Sequence, residues 1–181
     1  MAMEDTFAGV TGFYMHVLNK RGIHYLLARM THHIERESGM PTQFDQYVRR
    51  DMTKPYEVEH IWANHPEIYT DEFANENEFN MYRNRFGDLL LLPRGTNQSF
   101  SDAPYTSKLD FYYGENLLAK SLHTKAYQKN PNFLNYVQRS SLPFKPHAVY
   151  KKEDLDTRQD LYRRLCEEIW SPSRFLAEMN A

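Results

Sequence analysis

A single cysteine, Cys166, stands among 181 residues. That excludes a disulfide framework and a cysteine-rich zinc knuckle alike. No apolar run approaches the roughly 20 residues that a membrane-spanning helix needs, and the first residues lack the basic-then-apolar order of a secretory leader. An intracellular, soluble, cytoplasmic protein with no membrane partner is the expectation. The glycines form neither a Walker loop nor a dinucleotide fingerprint, and no internal repeat or low-complexity linker is visible.

Net charge is scarce too, at -2, which argues against wholesale coating of a polyanion. Its distribution is uneven. From Lys120 through Lys152 there is not one Asp or Glu, while Lys120, Lys125, Lys129, Arg139, Lys145, Lys151 and Lys152 recur between Tyr127, Phe133, Tyr136, Phe144 and Tyr150. Glu67, Asp71, Glu72, Glu76 and Glu78 instead form an acidic patch. This separation predicts a local positive face, with Lys125, Lys129, Lys151 and Lys152 as candidate phosphate contacts. Taken singly, solvated lysines and core aromatics account for each of these residues.

What is present in quantity is core-forming material: 41% of residues are hydrophobic and 14% aromatic, enough for a sizeable interior and against disorder throughout. One domain over 1–181 is expected, with a helical part at 12–50, a motif core at 55–113 and a second helical part at 114–176. Ile23, Leu26, Leu27, Met30 and Ile34 fall at helical spacing, and Ser38-Gly39 supplies a stop. Phe13–Leu18 reads as a preceding helical piece and Gln43–Arg50 as a short helix. Tyr56 and Val58 suit a strand opened by Pro55, after which a polar, Pro66-broken stretch reads as loop or irregular helix to about Asn80. Leu89–Leu92, between Gly87 and Pro93, suits a buried strand. Thr106–Tyr113 and Asn116–Tyr127 read as helices, and Asn130-Pro131 and Leu142–Pro146 as loops. Leu161, Leu165 and Ile169 mark a last helix, with Asp154 or Asp156 to cap it.

The stretch YEVEHIW ends in Glu59-His60. Neighbours on a regular strand point to opposite faces, so a joint site needs the strand to end or bend there. A neutral imidazole can take a proton from water, and a carboxylate can hold a hard divalent cation. Against this stands an ordinary core histidine. Asp88 can accept the second ring hydrogen of His60 and fix its tautomer, or it can serve a turn. Asn97 can complete a metal shell or cap a loop. Arg83 and Arg85 are solvated by default, with phosphate contact as the alternative. His65 reads as a plain loop histidine, and His32, His33, His123 and His147 as satisfied surface or interior residues.

In order, the residues say more. EHI, a loop, GDLLLL, TN and a downstream Lys108 resemble the His-Me finger, or HNH, nuclease arrangement. More specifically, the chain resembles the C-terminal nuclease domain of GmrSD-type modification-dependent restriction enzymes. YEVEHIW, RNRFGDLLLLPRGTNQSFSDAPYTSKLDFY and RQDLYRRLCEEIW carry that resemblance, and the early HYLLARM helix fits it. It implies an α+β fold, a compact ββα-metal core in a mainly helical domain. The activity implied is metal-dependent DNA endonuclease, in defence against foreign or modified DNA, with Mg²⁺ or Mn²⁺. His60 would be the general base, Glu59 and Asn97 the metal contacts, and Asp88 the counterpart of the middle Asn. Lys108 would approach phosphate or support the fold. An N-terminal nucleotide-handling domain or partner subunit is also implied. Two departures stand out: no Pro follows EHI, and Asp88 replaces an amide. The rival reading is an inactive DNA-binding or protein-interaction module on a nuclease-derived fold.

Overall fold

The computed structural model describes residues 13–95 and 102–171. At its centre β1 (Tyr56–His60) runs antiparallel to β2 (Leu89–Pro93), with Tyr56 opposite Pro93 and His60 opposite Leu89. Around this hairpin lie α1 (Lys20–Glu37), α2 (Phe44–Val48), α3 (Glu76–Arg83), α4 (Tyr105–Tyr112), α5 (Leu117–Lys120), α6 (Pro131–Ser140) and α7 (Lys152–Trp170). The fold is α+β, a small hairpin set among helices, with α4 following the strands in ββα order.

A lone two-stranded hairpin is marginal in water, so the helices must supply what the sheet lacks. Leu89, Leu90, Leu91 and Leu92 are all buried, which is why β2 reads as an unbroken apolar run instead of an alternating one. In this register the carbonyls of Leu89 and Leu91 face away from β1. Tyr162 Oη on α7 donates to the first (2.9 Å) and Asn116 Nδ2 to the second (2.6 Å), so the outer edge is satisfied by side chains. Asn116 also caps α5, its Oδ1 accepting from Ala119 N.

The helices are tied together by a buried carboxylate. Glu35 on α1 accepts from Thr42 Oγ1, Tyr47 Oη and the Leu117 N–H at the start of α5. Trp62, just past β1, packs against Tyr69, Phe73, Phe79 and Tyr150 and donates its Nε1 to the Tyr150 carbonyl (2.8 Å). This aromatic box anchors the long connection between the strands. The Phe86–Asp88 turn that leads into β2 abuts α7 closely. A Cβ on Gly87 would lie 2.7 Å from both Gln159 N and Leu155 O.

Four elements depart from the expectation. Phe13–Leu18 is not helical: Tyr14 forms a β-bridge with Arg85, Met15 N donates to Asn84 O and Phe86 N to Phe13 O. The Phe13 ring meets Phe86 edge-on, so tertiary pairing overrides a weak local preference. Residues 61–80 contain the start of a regular helix, α3, because Asn75 Oδ1 accepts from Glu78 N while Glu78 Oε2 accepts from Ala74 N. Asn116–Tyr127 breaks into α5 and a 3₁₀ turn at Thr124–Tyr127. Pro131 opens α6 instead of marking a loop, since a first-turn proline forfeits no helical hydrogen bond. Among the described residues, no helix is long and apolar enough to cross a membrane.

Candidate functional site

The end of β1 carries the candidate chemistry, and the pleat sends its two side chains apart. Glu59 turns inward and is 5% exposed; its Oε1 accepts from Lys108 Nζ at 2.9 Å. Lys108, on α4, is wholly buried, and its ammonium also donates to the His60 carbonyl at 3.0 Å. Burial pushes the Glu59 carboxyl up, and the Lys108 charge opposes that shift. The pair clasps α4 to the hairpin. It also fixes Lys108 in the interior, away from any phosphate: of the two roles the resemblance offers, support of the fold is the one this geometry serves.

His60 lies on the opposite face, half-buried, with Nε2 at 3.2 Å from Asn84 Oδ1. Asn84 donates its Nδ2 to Asn80 O (2.8 Å) at the end of α3, which leaves Oδ1 as the atom facing the ring. An amide oxygen only accepts, so the proton sits on Nε2 and Nδ1 keeps its lone pair. Burial, reinforced by the nearby Arg83 charge, brings the imidazole down to about 3. The ring is therefore neutral at ordinary pH, and Nδ1 has no hydrogen-bond partner among the described residues.

Asp88 does not occupy the place expected of it. It is completely buried, and both carboxyl oxygens face Trp62 N, at 3.2 and 3.3 Å, while its backbone carbonyl accepts from Ile61 N at 2.7 Å. Asp88 staples the exit of β1 to the start of β2, and the partner of the His60 ring is Asn84. Burial raises the Asp88 carboxyl well above the usual carboxylate range, against the pull of Arg83. Arg83 completes the clamp, donating Nε to the Trp62 carbonyl at 3.1 Å.

Sequence reading missed Asn84. It sits inside the quoted RNRFGD run, but one asparagine has no signature until the end of α3 brings it beside the ring. Asn97 lies outside the described residues.

The expected phosphate contacts are largely spoken for. Arg85 pairs with Asp156 and lies over the Tyr82 ring. Lys151 reaches Asp71 (3.3 Å), Lys152 reaches Glu78 (2.9 Å), and Lys125 lies 3.8 Å from Asp110. Lys129 is exposed. The acid-free run and the acidic patch, distant in sequence, meet through Lys151 and Lys152 and offset each other, so the separated positive face expected from the sequence does not form at those two residues.

Among the described residues, no group of three or more His, Cys, Asp and Glu side chains is placed to hold a metal ion. Glu59, the one expected metal contact that is described, already has an ammonium on Oε1. Among the described residues Glu59 is thus engaged as an ion-pair partner and is not left free as a donor.

A family model described as GmrSD restriction endonucleases, C-terminal domain, matches residues 11–165. No curated protein and no solved structure matches the chain.

Proposed function

The chain belongs to the family of C-terminal domains of GmrSD restriction endonucleases, and from that premise we propose that it is a DNA-binding domain on a nuclease fold whose carboxylate site is filled by its own lysine. The observation that carries this reading is the Glu59–Lys108 pair. A buried carboxylate already neutralised by an ammonium has little left to offer a divalent ion, because displacing Lys108 would strand a second charge in the interior. Family membership supports DNA as the partner; a cytoplasmic setting, a role in defence against foreign or modified DNA, and cooperation with a nucleotide-handling domain or subunit are parts of the same proposal.

A second reading, metal-dependent hydrolysis, is favoured by one observation: the neutral His60 ring is oriented by Asn84, with Nδ1 unpartnered among the described residues. There His60 would take the proton of an attacking water, and the negative charge that gathers on the phosphate would need a cation. Mg²⁺ or Mn²⁺, with Asn97 among its contacts, belongs to that reading. The two separate in one experiment. Supercoiled plasmid is incubated with the wild-type chain and with His60→Ala, each with Mg²⁺ or Mn²⁺, while DNA binding is followed in chelator. The binding reading expects retention of DNA in chelator and no nicked or linear product with either ion. Ion-dependent cutting by the wild type that disappears in a folded His60→Ala would overturn it in favour of hydrolysis.

A further inference from the structure

A groove of about 860 Å³ runs between the first turn of α1 and β1, lined among others by Lys20, Arg21, His24, Arg50 and Val58. Its cations differ from Lys151 and Lys152. Lys20, Arg21 and Arg50 are exposed, and none of the three has a carboxylate partner among the described residues. Glu57, the acid on the groove wall, is engaged by Arg94 at 2.9 Å. The positive charge here is therefore not offset in the way that Asp71, Glu72 and Glu78 offset Lys151 and Lys152.

Arg50 is also held in place by neutral groups. His24 Nε2 faces the Tyr47 carbonyl at 2.7 Å, so that nitrogen carries the proton and Nδ1 accepts from Arg50 Nη2 at 3.2 Å. Arg50 Nη1 donates to the Tyr56 carbonyl at 3.1 Å. A guanidinium fixed on two neutral acceptors keeps its full charge and presents its remaining N–H groups in a set direction, an arrangement suited to phosphate oxygens. Tyr25, half exposed on the same wall, offers an aromatic face to a sugar or base. The groove also leads to the candidate chemistry. Val58 and His60 are two residues apart on β1 and so share a face, and the Lys20 charge is felt at the His60 ring.

We propose that this groove seats a DNA strand by its phosphates, with Lys20, Arg21 and Arg50 as the contacts that bring the strand alongside His60. The inference rests on the DNA-binding reading above and names the surface that performs it.

The test is fluorescence anisotropy of a short labelled DNA duplex against salt concentration, with circular dichroism as the check on folding. The charge reversals Lys20→Glu and Arg21→Glu, combined, remove two exposed cations without touching the core. They are expected to lower affinity at least ten-fold, roughly, and to reduce the salt slope by about 2. Arg50→Gln is expected to weaken binding in the same direction, and the pair Lys125→Glu with Lys129→Glu to leave it unchanged. Wild-type binding with an unaltered slope in the Lys20/Arg21 variant overturns the groove and leaves the DNA-binding reading standing. So does loss of binding confined to the Lys125/Lys129 variant. Failure of the wild-type chain to bind the duplex even at low salt overturns both.

Discussion

At the scale of single residues, the pair Glu59–Lys108 decides the most. Both side chains are buried, and a buried charge stripped of its partner costs about 3–5 kcal/mol. Lys108→Met is therefore expected to lower the free energy of unfolding by that order, and Glu59→Gln alone to destabilise through the stranded ammonium. Glu59→Gln combined with Lys108→Met should recover much of the loss, because a neutral pair leaves no buried charge unpaired. Near-additive losses in equilibrium urea unfolding of the three variants would count against a direct pair. The sequence made Glu59 and His60 conspicuous and placed them at a strand end. It could not show which face each would take, because a one-residue change of register exchanges them. Nor could it show that Asn84 and not Asp88 would meet the ring, since that depends on where α3 stops.

At the scale of elements, the junction between the Phe86–Asp88 turn and α7 leaves no room for a side chain at Gly87. Any Cβ at Gly87 meets backbone atoms of α7 at 2.7 Å, and backbone cannot swing aside as a side-chain tip can. Gly87→Ala is expected to cost about 1–3 kcal/mol, the usual range for overpacking. Gly22→Ala is the contrasting case. Gly22 lies within α1, its added methyl meets nothing within 4 Å, and a gain of about 0.5–1 kcal/mol is expected from helix propensity. Thermal midpoints of the two variants, measured side by side, should move in opposite directions. α1, α7 and both strands were legible because apolar spacing over several turns, or a run of four leucines, survives any context. α3 and α6 were not: one depends on the Asn75 cap inside a polar stretch, the other on a proline that punctuates as readily as it initiates.

At the scale of the whole molecule, burial of histidine makes stability depend on acidity. His147 is buried and hydrogen-bonded to Asp154 at 2.8 Å, and burial brings it down to about 4. An unfolded histidine titrates near 6.5, so between those values the unfolded chain binds more protons than the folded one. The contribution of His147 is then fully present above about pH 6.5 and is lost as the pH falls towards 4. Glu59 and Asp88, whose carboxyls are raised, act in the opposite sense, because their contribution declines as pH rises through their folded values. Comparing wild type with His147→Gln isolates the histidine. The stability advantage of the wild type should shrink by about 2–3 kcal/mol from pH 7 to pH 4, read from urea unfolding at each pH. A constant difference would show that His147 is not buried in its neutral form. Charge pattern was the least legible property at this scale: the acid-free run looked like one surface, yet Lys151 and Lys152 are returned to the acidic patch, while Lys20, Arg21 and Arg50, without a carboxylate partner among the described residues, line one groove.

The packing of α7 on the Phe86–Asp88 turn also orders events during synthesis. A ribosome releases the chain from its amino end, so both strands emerge while the helix that backs their junction is still untranslated. Until residues 152–170 follow, the Gly87 amide lacks the Gln159 side-chain carbonyl and the Leu89 carbonyl lacks the Tyr162 hydroxyl. A nascent chain therefore holds the residues of this site well before it holds their arrangement, which is complete only once residues 152–170 have emerged.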